Sequence, residues 1–316
     1  MTERLMLLDT ASLYFRAFYG VPDSVRSPNG TSVNAVRGLL DIIARLVTEF
    51  EPTSLVACWD DAWRPRWRVE LIPSYKEHRV AKFVPDGTDV EDVPENLVVQ
   101  VPIIREVLAA FGIVVLGAAD HEADDVIGTL ASSAVVPVDV VTGDRDLFQL
   151  TDDAAEVRVV YTARGMSKLE IVTDSVLEAK YGINPRQYSD FAVMRGDASD
   201  GLSGVAGIGE KTAANLLRGY GTLDGIIAAA ADADDSLSPT VRGRILAATD
   251  YLAVAPKVVD VVRDLDLGEV DARIRPLTSA QHADVDRLAA QWGLGSSVER
   301  ALRALGNDVT RASDVR

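Results

Sequence analysis

A single cysteine, Cys58, stands in a chain of 316 residues. That excludes an internal disulfide and any thiolate metal cluster, and the apolar run around Cys58 marks it as a small core residue. Histidine is almost as scarce. His78, His121 and His282 are isolated and form no ligand spacing with the cysteine or with one another, so none is assigned a catalytic role. No apolar run approaches the roughly 20 residues needed to span a bilayer. The stretch from Met1 to Asp9 has one Arg and a short apolar run that ends in acid, unlike a secretory signal. These absences point to a cytoplasmic protein with no membrane partner. Basic residues are also in deficit, 32 Lys and Arg against 48 Asp and Glu, for a formal net charge of −16. Spread evenly, such a balance would disfavour a nucleic-acid partner. The acids are not spread evenly, and setting aside nine that gather in motifs more than halves the deficit.

What is present begins with a repeated unit: a short apolar run closed by acid, then a helical stretch. Leu5 to Leu8 ends in Asp9, Ser54 to Trp59 in Asp60-Asp61, Ile113 to Leu116 is followed by Glu122-Ala123-Asp124-Asp125, and Val138 to Val141 by Asp144 and Asp146. Leu13 to Phe18, Val36 to Val47 and Pro102 to Phe111 carry helical patterns between them. Strand, acid and helix in alternation predict an open α/β fold, a mostly parallel central sheet with helices on both faces. Ligands of such sheets collect outside the carboxyl ends of the strands, where these acids would meet. Glu122 to Asp125 alone suits ordinary helix-start chemistry better than a metal site, because acids there complement the helix dipole. Recurrence at each strand end favours the metal.

Between Asp60 and Pro102 the chain makes a long excursion. Its first half carries Arg64, Arg66, Arg68, Lys76, Arg79 and Lys82, interleaved with Trp63, Trp67 and Tyr75. Cations and rings together suit single-stranded nucleic acid, but the segment equally suits a solvated charged helix with its aromatics facing the core. The second half, with Asp86, Asp89, Glu91, Asp92 and Glu95, reads as a mobile loop. After a strand at Val157 to Tyr161 the chain turns helical from about Thr173: Val176 to Tyr181, Pro185 to Met194, Lys211 to Arg218, Leu223 to Ala231 and Ser238 to Leu252. Asp197 and Asp200, three apart, fall on one helical face. Gly207-Ile208-Gly209-Glu210-Lys211 opens a helix with glycines that let backbone N–H groups approach a phosphate. Leu288, Ala289 and Trp292 read as core, and the tail after Asp308 as frayed. The division expected is an α/β core over residues 1–172, with the basic excursion inside it, and a helical region over 173–316.

Taken in order, Leu8-Asp9, Tyr75-Lys76-Glu77-His78-Arg79, Glu122 to Gly128, Gly143-Asp144-Arg145-Asp146-Leu147, Gly196 to Asp200 and Gly207 to Thr212 resemble the flap endonuclease (5′-3′ exonuclease) family. The likeness is greatest to the 5′-nuclease domain of bacterial DNA polymerase I, here as a stand-alone nuclease, and runs from about Leu5 to Leu252. Thr10, where a small Gly is usual, and Phe15, where a Tyr is usual, depart from the pattern. The resemblance implies a PIN-like core with a basic helical arch at about 63–95, and a helical DNA-binding region over 173–316 that contains a helix–turn–helix element. It implies a structure-specific 5′ nuclease, both exonuclease and 5′-flap endonuclease, acting on branched, nicked or 5′-flapped DNA in replication and repair, as a monomer.

Clustered carboxylates without Cys or His independently favour hard ions, Mg²⁺ or Mn²⁺, and two such ions can activate water and stabilise the leaving oxygen. By resemblance Asp9, Asp60, Glu122 and Asp124 form one metal site, and Asp144, Asp146, Asp197 and Asp200 the other. Asp125 lies between the two or behind them. Lys76 and Arg79, with Arg68 as a companion, would contact the scissile phosphate. Gly207, Gly209 and Lys211 would grip duplex backbone, with K⁺ at that turn. Two other classes share parts of the pattern: a PIN-like single-strand ribonuclease, which the Gly207 to Lys211 element disfavours, and a non-catalytic DNA-structure binder, which the intact acids disfavour.

Overall fold

The computed structural model describes residues 3–85, 87–232 and 236–307. Asp86 and the tail from Asp308 lie outside the described residues. Six strands form one sheet: β1 (Leu5–Asp9), β2 (Ser54–Cys58), β5 (Val114–Leu116), β6 (Val138–Thr142), β7 (Val157–Tyr161) and β8 (Glu170–Val172), in the order β5-β2-β1-β6-β7-β8. A separate hairpin pairs β3 (Val80–Lys82) with β4 (Val90–Glu91). All pairings of the main sheet are parallel except β7 with β8. From β1 the chain steps first to β2 on one side and later to β6 on the other, so the strand order reverses at β1/β6. That switch point is where an open sheet leaves a crevice.

Side chains of β1 alternate between two cores, as a strand covered on both faces requires. Met6 and Leu8 face α1 (Thr10–Gly20), α2 (Asn34–Phe50) and, past a short α3 (Arg66–Leu71) and α4 (Glu95–Val98), α5 (Val101–Ala110). Leu7 faces α6 (Ala123–Ser133) and the helices that follow it in the second half of the chain. These are α7 (Asp174–Tyr181), α8 (Tyr188–Arg195), α9 (Glu210–Tyr220), α10 (Leu223–Ala231), α11 (Pro239–Ala247) and α12 (Thr249–Val259). The last two helices, α13 (Ser279–Trp292) and α14 (Ser296–Ala304), cross back to pack on α5 and α2. Leu288 is buried there, as expected of a core residue. Among the described residues no helix is long and apolar enough to cross a membrane.

Four expectations need correction. The excursion is not a helical arch: prolines at 65, 73, 85 and 94 interrupt it, and a proline removes a donor and bars helix before it. It forms α3, a 3₁₀ turn at Glu77–Arg79 and the β3–β4 hairpin. Its acidic half is tied down rather than a free loop. Asp89 pairs with Arg64, and Asp92 donates its N–H to the Arg79 carbonyl at 2.7 Å. Ser238 to Leu252 is two helices, broken at Ala248. Asp197 and Asp200 lie on a 3₁₀ turn, with Asp197 capping it, and not on an α-helix face.

Candidate metal centre and nucleic-acid cleft

Asp9 is the last residue of β1 and the N-cap of α1, where its carboxylate accepts from Ser12 N–H at 3.2 Å and Thr142 Oγ1 at 2.7 Å. Thr10, behind it, is fully buried. Asp60 follows β2 and accepts from the Ala123 N–H at 2.8 Å, which turns it toward the start of α6. Asp61, its neighbour, points out toward Arg105. Glu122 is the N-cap of α6 and Asp124 lies in its first turn. Asp144 follows β6, with its N–H bonded to Thr142 Oγ1 at 2.9 Å. A Cβ at Gly143 would meet Ser12 Oγ at 2.7 Å, the atom that accepts the Gly143 N–H at 3.0 Å.

Asp9, Asp60, Glu122, Asp124, Asp144 and Asp197 line one cleft of about 620 Å³ at the carboxyl edge of the sheet. Lys76, Arg79, Arg145 and Phe15 line it too. Asp146 and Asp200 are buried just behind this wall. Asp146 donates its N–H to Asp144 Oδ1 at 2.9 Å, and Asp200 pairs with Arg79 at 3.1 Å.

Electrostatics show what crowding these acids costs. Burial pushes the Asp9 carboxyl up to about 7, and the charge of Asp60 adds to it. Asp124 is held well above the carboxylate range by burial, then by Asp9 and Asp144. Asp146 is raised by burial, then by Asp144 and Asp200. Asp200 is pushed up to about 6 by burial, which Lys76 opposes. Asp60 is raised by burial against the Ala123 hydrogen bond. Burial would raise Asp197 as well, but hydrogen bonds from Ser199 and the charges of Arg195 and Arg145 hold it below the usual value. Repulsion among like charges favours protons or cations in their midst.

Donor chemistry fits a hard cation: all ligands on offer are carboxylate oxygens, and Asp146 Oδ1 is buried without a hydrogen-bond partner. Among the described residues, no group of three ligand-type side chains is drawn tightly enough to enclose an ion by itself. An ion there would complete its shell with water or substrate oxygens, as small divalent cations generally do.

Arg68 and Asp125, also expected at the site, are turned away from the cleft and toward each other. Arg68, expected to touch phosphate, is 2% exposed. It bonds Asp125 with two parallel contacts of 2.7 and 2.9 Å, Glu122 Oε2 at 2.5 Å and the Val258 carbonyl at 3.1 Å. Asp125, expected near the metals, is fully buried and taken up by Arg68 and by the Val262 N–H at 2.9 Å. The pair is a buried ionic bolt joining α3, α6 and the end of α12. Tyr75, one of the rings of the basic segment, is buried and donates its hydroxyl to Glu122 Oε2 at 2.6 Å. Lys76 Nζ bonds the other Glu122 oxygen. Burial opposes the lysine charge, but Glu122 overrides it and holds Lys76 well above the ordinary lysine range.

Gly207, Gly209 and Lys211 lie apart from the cleft, at the start of α9, where all three are exposed. Gly207 takes φ +77, and its carbonyl accepts from Arg244 Nη1 at 2.9 Å.

A sheet that gathers carboxylates at its switch point beneath a lysine and an arginine defines the class as an acid-edged α/β nuclease fold. Residues 4–182 match the family described as 5′-3′ exonuclease, N-terminal resolvase-like domain, and residues 183–281 match 5′-3′ exonuclease, C-terminal SAM fold. A 5′-3′ exonuclease of Streptomyces coelicolor is 57% identical over 300 residues, covering 95% of this chain and 99% of its own. DNA polymerase I of Mycobacterium bovis is 38% identical over 275 residues, 86% of this chain but 28% of the polymerase. The bacteriophage T5 D15 flap endonuclease, solved as a pseudo-enzyme-product complex with DNA and metal ions, superposes with a TM-score of 0.61 at 17% identity over 96% of this chain and 99% of its own. The chain belongs to the 5′-3′ exonuclease family.

Proposed function

We propose that this chain is a structure-specific 5′ nuclease that hydrolyses DNA phosphodiesters near the 5′ end of flapped or nicked duplexes, in replication and repair. The observation that carries the reading is the convergence of Asp9, Asp60, Glu122, Asp124, Asp144 and Asp197 on one cleft that Lys76 and Arg79 also line.

Asp9, Asp60, Glu122 and Asp124 on one side, and Asp144, Asp146, Asp197 and Asp200 on the other, would hold divalent ions, Mg²⁺ or Mn²⁺. When bound, such ions lower the pKa of water and neutralise charge on phosphate oxygens. The remaining work falls to side chains. Lys76 and Arg79 supply positive charge over the acids, so that a polyanion can enter a cleft whose own wall repels it. Phe15 and Tyr14, stacked at 5.3 Å between centroids, also line the cleft and give it an apolar face on which a base can lie. Gly209 and Lys211 at the start of α9 would hold duplex phosphates, and contacts of that kind select shape rather than sequence. K⁺ at the same turn would be held by backbone carbonyls, of which that of Gly207 also accepts from Arg244. We take the protein to act as a cytoplasmic monomer.

The test is cleavage of a 5′-flapped DNA with Mg²⁺ or Mn²⁺, repeated with chelator and with Asp144→Asn. Cutting should stop when metal is removed, and the variant should bind flap but not cut it. Wild-type activity in Asp144→Asn would overturn the assignment.

A further inference from the structure

Among the described residues, three cations line the cleft: Lys76, Arg79 and Arg145. Two are already engaged. Lys76 Nζ bonds Glu122, and Arg79 Nη2 donates to the Ser199 carbonyl at 2.6 Å and to Asp200 at 3.1 Å. Arg145 differs. Among the described residues its guanidinium has no hydrogen-bond partner. Its nearest acids are Asp197 Oδ2 at 3.9 Å and Glu210 Oε1 at 3.7 Å, both beyond hydrogen-bonding reach, and its side chain is 39% exposed.

The same two acids have a second arginine. Arg195 lies 3.3 Å from Asp197 and 3.7 Å from Glu210, with a side chain only 9% exposed. Departure of Arg145 therefore leaves neither acid without a counter-charge. The buried arginine neutralises, and the exposed one is free to leave. Arg145 also sits between Asp144 and Asp146, directly after β6, on the edge where a phosphate must come to be cut. A planar guanidinium with paired donors matches phosphate oxygens in a way a single ammonium does not.

We infer that Arg145 is a further substrate-contacting residue, which swings from Asp197 and Glu210 onto a backbone phosphate as the strand enters the cleft. Glu210 belongs to the first turn of α9, so the arginine's resting place lies between the acid edge and the duplex-gripping element. The inference rests on the nuclease reading above.

Binding is measured by fluorescence anisotropy of a labelled 5′-flapped DNA in EDTA across a KCl series, for wild type, Arg145→Ala and Arg145→Lys. Thermal melts and single-turnover cleavage in Mg²⁺ are run beside it. Each phosphate contact contributes about one unit to the log–log salt slope. Arg145→Ala should flatten that slope by about one and weaken binding roughly fivefold, with an unchanged melting temperature. Arg145→Lys should restore the slope while cleaving more slowly than wild type, because the fork is lost. An Arg145→Ala protein with wild-type slope and affinity would overturn the inference, whether or not its melting temperature falls. Wild-type protein that neither binds nor cuts the flap would instead bring down the nuclease reading itself.

Discussion

Lys76 is held in place from two directions. Its backbone takes φ 48 and donates to the Asp200 carbonyl at 2.9 Å, while its ammonium reaches across to Glu122. One residue thus spans the two groups of acids, touching the 3₁₀ turn with its main chain and the α6 cap with its side chain. Preorganised charge of this kind acts most on the transition state, where phosphate oxygens gain charge. Lys76→Ala should therefore slow single-turnover cleavage by roughly 10²-fold, with a much smaller loss in flap affinity. Equal loss of both, or an unchanged rate, would assign the lysine to binding alone or to neither. Arg68 and Asp125 carry the opposite lesson. By charge and motif they belong with the site, yet their mutual bidentate contact turns both away from it. Composition reveals that an arginine lies near acids; it does not reveal which of several acids it will neutralise.

At the scale of elements, the contact that seats the basic segment is a glycine. Gly201 takes φ +71, and a Cβ there would lie 2.1 Å from the Ser74 carbonyl. Any side chain must push Ser74 to Lys76 off the Asp197–Asp200 turn and break the Lys76 N–H bond. Gly201→Ala should reduce cleavage at least as much as Lys76→Ala, with folding retained, as single-turnover rates and a circular-dichroism melt would show. The strands of the main sheet and their acid ends were readable in the sequence because short apolar runs closed by aspartate are a local pattern. Sheet order at β1/β6 then brought Asp9 and Asp144 together without further information. The excursion from 63 to 95 departs from the family's helical arch because its four prolines bar continuous helix, and basic and aromatic content does not report conformation. β8 escaped notice: three residues on an antiparallel edge leave no periodicity to detect. The break at Ala248 carries no proline or glycine signal at all.

For the whole molecule, the buried acids make stability depend on pH in a stated direction. A carboxyl whose folded value lies above its unfolded value binds its proton better when folded. Its contribution is complete below the unfolded value of about 3.8 and is lost as pH climbs through about 6 for Asp200 and about 7 for Asp9. Metal-free protein should therefore lose urea resistance between about pH 4 and pH 7, and saturating Mg²⁺ should flatten that fall, since an ion that binds only the folded state replaces the proton. Urea midpoints across the range, with and without metal, measure both. Asp9→Asn should shrink the metal-free fall; a fall of undiminished size would place its origin elsewhere.

The crossing segment after α12 has a mechanical consequence. Val262 N–H ties to Asp125, the Leu55 N–H to the Ala272 carbonyl at 2.9 Å, and the Ile274 N–H to the Thr53 carbonyl at 2.9 Å, before α14 closes on α2. The family describes two domains in series, but this chain is laced: its last third is stitched into its first. Calorimetry should accordingly record one endotherm whose measured and van't Hoff enthalpies agree, and two resolved peaks would mean that the lacing carries no thermodynamic weight.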